Sequence, residues 1–233
     1  MSTSGGPNIT LDGLRVYIDP RNPESYVTGS IIYDLLNANT YTLQPGAAYD
    51  PRVAWTFHSS SAEYIETSEV WSKPQLEDTG CCWEVWMRTN HDAGAAGTDG
   101  VSLLNQSVDS AGTYERNGGI NFRGGGEAQF VMYNGSAYID PTSTTVVNDG
   151  VWHQIVGNFT SDHYMQIYVD GVMEAEQYNS ASYDTSATTM RIAWGDGAPQ
   201  KQPLDGNIGV VRLYDRPLSV EEIGRNYKGT LQT

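Results

Sequence analysis

Apolar and polar residues alternate along this chain in short runs closed by turn residues, a period-two pattern that predicts strands almost throughout. Leu14-Arg15-Val16-Tyr17-Ile18-Asp19 opens the series and is stopped by Pro20 and Pro23. Short candidates follow at Ile31–Leu35, Val53–Phe57 and Glu63–Glu66. Cys81–Arg88 is a long strand, with Cys81, Trp83, Val85 and Met87 on one face and Cys82, Glu84, Trp86 and Arg88 on the other. Residues 89–100 and 105–119 read as polar loops around a strand at Val101–Leu104. Gly119–Arg123 and Gln129–Tyr133 come next, and Asn134-Gly135 turns the chain back through Ala137–Ile139. In Trp152–Phe159, Trp152, Gln154 and Val156 share one face, and His153, Ile155 and Phe159 the other. Tyr164–Val169 turns at Asp170-Gly171 into Val172–Ala175, and Met190–Trp194 is a late strand. A helix starts at Leu218, with Ser219 as N-cap and Glu222 completing a capping box, and is expected to stop near Gly224 or Gly229. About twelve strands, one short C-terminal helix and no internal repeat predict an all-β, two-sheet antiparallel jelly-roll sandwich. Residues 1–10 read as a small polar arm and 11–230 as one jelly-roll domain.

Charge narrows the choice of partner. Thirteen basic against 28 acidic residues give a net charge of −15, which repels phosphate backbones and anionic lipid. No nucleic-acid partner is expected. The excess carboxylates serve solubility, or divalent-cation binding, although no dense acidic cluster appears. Cys81 and Cys82 are adjacent on a strand, point to opposite faces and cannot easily bridge, so they are expected as buried thiols. Met1-Ser2-Thr3-Ser4-Gly5-Gly6-Pro7 lacks the basic and apolar regions of a signal peptide. No apolar stretch approaches the roughly 20 residues of a membrane helix, so no membrane insertion is expected.

Three motifs carry a resemblance. Asp149-Gly150-Val151-Trp152-His153 opens a strand, Gln166-Ile167-Tyr168-Val169-Asp170-Gly171 closes a hairpin, and Asp205-Gly206-Asn207-Ile208 leads to Arg212-Leu213-Tyr214-Asp215-Arg216-Pro217-Leu218-Ser219. In this order, and with Glu84-Val85-Trp86 as a central strand, the chain resembles the laminin-G-like branch of the concanavalin A-like lectin/glucanase jelly rolls. The opening segment, Gly13–Pro20 with Asn22-Pro23-Glu24-Ser25-Tyr26 and Asp34-Leu35, resembles the start of jelly-roll proteins of bacteriophage virions. The family also implies a structural calcium ion after the second main strand. Here that place reads Phe57-His58-Ser59-Ser60-Ser61-Ala62-Glu63-Tyr64, with two of the family's carboxylates missing and Glu63 replacing one.

The resemblance implies a non-enzymatic virion structural protein, as capsid decoration, fibre or tail component. Its partners would be other virion proteins or copies of itself. The arm and opening strand would make the subunit contacts, through Ser4, Pro7, Asn8, Arg15 and Arg21. Made in the host cytoplasm, it would reside in the virion. The alternative is a carbohydrate-binding module for cell-surface glycans. Tyr and Trp combine flat apolar area with a polar handle. Trp194 with Asp196, Tyr133 with Asn134, and Tyr183 are the candidate contacts, set against the need of a large sandwich for core aromatics. Tyr114 and Tyr138 lie near other loops. A glycoside hydrolase ranks third. It needs paired carboxylates about 5 Å apart, and the nearest approaches are Glu63 with Glu66, and Glu174 with Glu176 on one strand face. Neither a nucleophile elbow nor a phosphate loop is present.

Overall fold

The computed structural model describes residues 9–26, 29–36, 39–50, 54–60, 63–69, 79–92, 94, 100–110, 113–133, 137–179, 189–194 and 203–231, with 107–110, 113–117 and 133 described by their backbone. The strands form two antiparallel sheets. The first runs β15 (Val172–Tyr178), β14 (Tyr164–Val169), β13 (His153–Phe159), β7 (Cys81–Arg88) and β17 (Gly206–Tyr214). The far edge of β17 pairs first with β5 (Ala54–Phe57) and then with β1 (Leu14–Ile18), and β4 (Ala48–Asp50) lies beyond β5. The second sheet runs β11 (Tyr138–Ile139), β10 (Glu127–Tyr133), β9 (Thr113–Phe122), β8 (Val101–Ser110), β16 (Arg191–Ile192), β6 (Ile65–Glu66), β3 (Thr40–Leu43) and β2 (Ile31–Tyr33). β12 (Thr142–Val146) also pairs with β10.

The core lies between the sheets. Trp83, Val85 and Met87 of β7, Ile155 and Phe159 of β13, and Ile208, Val211 and Leu213 of β17 meet Leu104, Ile120, Phe122 and Phe130 of the facing sheet. Trp83 and Phe130 pack edge to face, with ring centroids 5.8 Å apart. Fully burying one such side chain contributes about 1.5–3 kcal/mol. The predicted faces of Cys81–Arg88 are therefore those observed. Cys81 enters this core, whereas Cys82 joins a separate cluster on the outer face with Val156, Tyr168, Tyr214, Leu218 and Ile223. Both thiols are free, and burial raises both pKa values.

That outer cluster is covered by the helix α1 (Val220–Leu231). The capping box forms: Glu222 N donates to Ser219 Oγ at 3.3 Å and Ser219 N to Glu222 Oε2 at 2.9 Å. Arg216 lies 2.6 Å from the same carboxylate and, with its other hydrogen bonds, lowers the Glu222 pKa to about 2. The helix runs past Gly224 and Gly229, where it was expected to stop. Burial of Ile223, Asn226 and Thr230 against the sheet outweighs the roughly 1 kcal/mol that a helical glycine costs.

Three further differences from the sequence reading have local causes. Residues 105–110 and 113–119 are not a loop: β8 and β9 pair in a long antiparallel ladder with register from Val101↔Phe122 to Ser110↔Thr113. Its backbone pairing needs no apolar side chains, so hydropathy did not reveal it. The short strand β12 is likewise polar and owes its extension to pairing with β10, whereas β3 and β4 are held both by pairing with neighbours and by Tyr41, Leu43 and Tyr49 packing on the core. Finally, Glu174 and Glu176 do not share a face. Met173 pairs with Tyr168 and Ala175 with Ile167, so Glu174 is the extra residue of a β-bulge. It turns toward β12, where Thr144 and Thr145 donate to its carboxylate and lower its pKa against the effect of burial. Glu176 accepts from Gln166 Nε2 on the opposite face.

Candidate functional site

The motif residues interlock first. Asp170 and Gly171 have φ of 51° and 79°, the left-handed pair that a two-residue hairpin turn requires. The turn places the Asp170 carboxylate where Oδ1 accepts from Gln154 N at 2.9 Å and Oδ2 lies 2.8 Å from His153 Nδ1. His153 Nε2 lies 3.2 Å from Asp149 Oδ1. The hydrogen bond to Asp170 raises the His153 pKa against the effect of burial, and Asp149 is lowered, chiefly by the Val151 backbone N–H. This triad, a buried histidine between two more exposed carboxylates, ties the start of β13 to the β14–β15 turn and is architecture.

On the outer face of the same sheet, a polar network sits beneath α1. Glu84 and Arg212, each 1% exposed, pair at 2.7 Å. Glu84 Oε1 also accepts from Gln154 Nε2 and Trp86 Nε1, and Oε2 from Asn226 Nδ2. Burial opposes the Arg212 charge most strongly, but the Glu84 carboxylate together with Tyr17 and Tyr214 raises the pKa. Asn226 Oδ1 accepts from Thr10 N, and Tyr214 OH donates to Thr10 O, which ties the start of the described chain to the helix. Trp86 stacks on Tyr227 with the planes 8° apart.

Beyond the helix, the same face opens into a cleft of about 480 Å³. β7 ends here, β17 begins here, and β5 flanks it. Thr56, Arg88 and Asn207 stand side by side, because Asn207 pairs in register with both Thr56 and Arg88. Arg88 Nε and Nη2 donate to Asn207 Oδ1 at 3.3 and 3.0 Å, and Asn207 Nδ2 donates to Thr56 Oγ1 at 2.8 Å. The guanidinium lies 5.4 Å from the centre of the Trp152 ring. Trp152 in turn can lie close to the sheet because Gly209 is bare: a Cβ there would meet the indole at 3.2 Å. The opposite wall is Thr89, Asn90, His91, Gly150 and Asp205. Thr89 Oγ1 donates to Asp205 O and accepts from His91 N, while Asp205 N donates to His91 Nδ1 at 3.2 Å. The backbone N–H on Nδ1 places the proton of a neutral His91 ring on Nε2. The arrangement offers planar donors and acceptors on two rigid strands and can hold a hydroxylated or anionic ligand.

The aromatic candidate chosen from the sequence lies elsewhere. Trp194 follows β16 on the outer side of the second sheet, with the Arg191 guanidinium 4.3 Å over its ring and Tyr64 edge-on at 6.2 Å. Glu66 pairs with Arg191 at 3.2 Å. Asp196, Asn134 and Tyr183 lie outside the described residues, as do Ser4, Pro7, Asn8 and the Tyr133 side chain. Arg15 pairs with Asp215 at 3.4 Å. Arg21 is engaged internally, with two nitrogens 3.0 Å from the Asp19 carboxylate and Nη1 donating to Thr230 O. At the place where the resemblance implies calcium, Glu63 is buried, accepts from His58 N at 2.8 Å and lies 3.2 Å from His58 Nδ1. One carboxylate so engaged does not fit an ion that takes six to eight oxygens. Among the described residues, no group of three or more metal-ligating side chains converges.

The sequence reading did not single out Arg88, His91, Asp205 and Asn207 as a site. Only the polar loop read at 89–100, after the long strand, overlaps it. Comparison with known proteins bears on the fold around them. The family model described as the concanavalin A-like lectin/glucanases superfamily, of laminin-G type, matches residues 59–224. Trypanosoma rangeli sialidase is similar in structure, with a TM-score of 0.63 and 15% identity, over 92% of this chain and 32% of that one. The botulinum neurotoxin serotype D binding domain is similar with a TM-score of 0.68 and 12% identity, over 94% of this chain and 52% of that one. The chain thus spans about half or less of the length of these solved structures. No curated protein sequence matches it.

Proposed function

The chain belongs to the concanavalin A-like lectin/glucanases superfamily, and from that premise we propose that it is a non-catalytic, lectin-like domain that binds a saccharide in the cleft beside Arg88. The observation that carries this reading is the cleft itself. Its volume of about 480 Å³ falls within the roughly 300–1,000 Å³ of small-molecule sites. Arg88, Asn90, His91, Asp205 and Asn207 present planar polar groups of the kind that engage paired sugar hydroxyls. Two of them project from β7 and β17, so they are held by the sheet. Support for a non-catalytic role comes from the bulge that sends Glu174 and Glu176 to opposite faces, which removes the one same-strand acid pair.

The setting proposed for this activity is a bacteriophage virion, where the domain would decorate the particle or serve its adhesion to cell-surface glycans. That part rests on the opening segment Gly13–Leu35. Calorimetric titration of the whole chain with neutral and acidic oligosaccharides tests the binding. Saturable binding that Asn207→Ala abolishes without lowering the thermal midpoint is the expected result. Binding that survives Asn207→Ala and is lost in Trp194→Ala would move the site to the second sheet.

A further inference from the structure

The charged groups of the molecule single out one arginine. Arg21, Arg123, Arg191, Arg212 and Arg216 each have a nitrogen within 3.2 Å of a carboxylate oxygen, and Arg15 has one at 3.4 Å. Among the described arginines, Arg225 lies on the exposed surface of α1, and Arg88 lines the cleft. In a chain with 28 acids and 13 bases, acidic partners are abundant. Arg88 is nevertheless fixed by a neutral amide, through Nε and Nη2 on Asn207 Oδ1, and by the Trp152 ring. Its orientation is set before any ligand arrives, and among the described residues no carboxylate pairs with it.

We propose that the cleft is selective for acidic saccharides, with the sugar carboxylate held by Arg88. This rests on the saccharide-binding reading above and assigns the class of ligand. A guanidinium recognises a planar carboxylate through parallel N–H donors better than it recognises a lone hydroxyl. Nη1 makes no hydrogen bond among the described residues, and it supplies the free edge. His91 Nε2–H is a second donor in the same cleft, since Nδ1 is taken by Asp205 N. Asp205 also lines the cleft, and its exposed carboxylate forms no ion pair with Arg88. It opposes an anion and limits the affinity, so removing its charge strengthens binding.

The test is calorimetric titration of the full chain with sialyllactose, a glucuronate-terminated disaccharide, a sulfated disaccharide, lactose, and the methyl ester of each carboxylate sugar. The ester keeps the shape and removes the charge, so the comparison needs no variant. The expected result is that at least one acidic sugar binds tenfold or more tighter than both its ester and lactose. Arg88→Gln lowers that affinity at least tenfold, Asp205→Asn raises it severalfold, and 0.5 M salt weakens it. Equal affinity for acid and ester overturns the assignment while leaving saccharide binding intact. Binding of a sulfated disaccharide in preference to both carboxylates also overturns it. If none of the sugars binds, the saccharide reading falls with it.

Discussion

Arg212 and Arg88 project from the same face of the β7–β17 pair, yet one is sealed beneath α1 and the other stands at the open strand ends. Arg212 is 1% exposed and meets a carboxylate, Glu84, that has three further donors. Arg88 meets an amide, Asn207, and an aromatic ring. Where water is excluded, an unpaired charge costs several kcal/mol, so the fold must supply the counter-charge. Where water can reach, the counter-charge is optional, and leaving it out keeps the cation available. The presence or absence of the helix roof therefore separates an arginine that holds the domain together from one that can serve a ligand.

The largest expected effect breaks the sealed side. Glu84→Ala leaves Arg212 buried without its partner and should destabilise the domain by about 3–5 kcal/mol in urea unfolding. The double change Glu84→Met with Arg212→Met should recover most of that loss, because it removes both charges together. If Glu84→Ala costs no more than a surface change, the roof does not seal the pair and the comparison fails. Loosening the roof itself is milder: Ser219→Ala removes the N-cap of α1 and should cost about 1 kcal/mol. It should also speed amide exchange of Asn226 and Tyr227 ahead of the strands.

The histidine triad behind the cleft gives a pH signature of smaller size. The His153 pKa is raised, first by its hydrogen bond to Asp170. Its stabilisation is complete below about pH 6.5, the unfolded value, and is lost as pH rises through the folded value. The urea midpoint should therefore fall between pH 6 and pH 8, and His153→Gln should flatten that slope. A slope unchanged in the variant would place the titrating group elsewhere. The smallest expected effect sharpens the open side. Arg88→Gln should change stability by no more than about 0.5 kcal/mol, while Arg212→Gln costs several times that. A large loss with Arg88→Gln would make Arg88 a structural residue after all.

Much of the fold was legible because side-chain direction in a strand is set by parity. The two faces of Cys81–Arg88 were assigned from alternation alone, and they became the inter-sheet core and the helix-covered face. The capping box of Ser219 and Glu222 was readable because its partners lie three residues apart. The polar ladder of β8 and β9 was not, because its order comes from backbone pairing that hydropathy does not report. Glu174 was placed on the wrong face because one bulged residue reverses parity and leaves no mark in composition. The site was less legible still. Trp194 drew attention as an aromatic beside a carboxylate in sequence, whereas its observed neighbours Tyr64, Glu66 and Arg191 come from β16 and from the stretch around β6.

By itself, the sequence determined the class of fold, the strand faces, the turn at Asp170-Gly171 and the start of the helix. Each of these depends on residues within a few positions of one another. Only the tertiary structure decided which arginine is neutralised and which is left open. That choice depends on Asn207 lying opposite Arg88 and Glu84 opposite Arg212 across the β7–β17 register. It also depends on a helix that covers one pair and stops short of the other. Those partners stand more than a hundred positions apart in the chain, and local chemistry cannot specify which of them will meet.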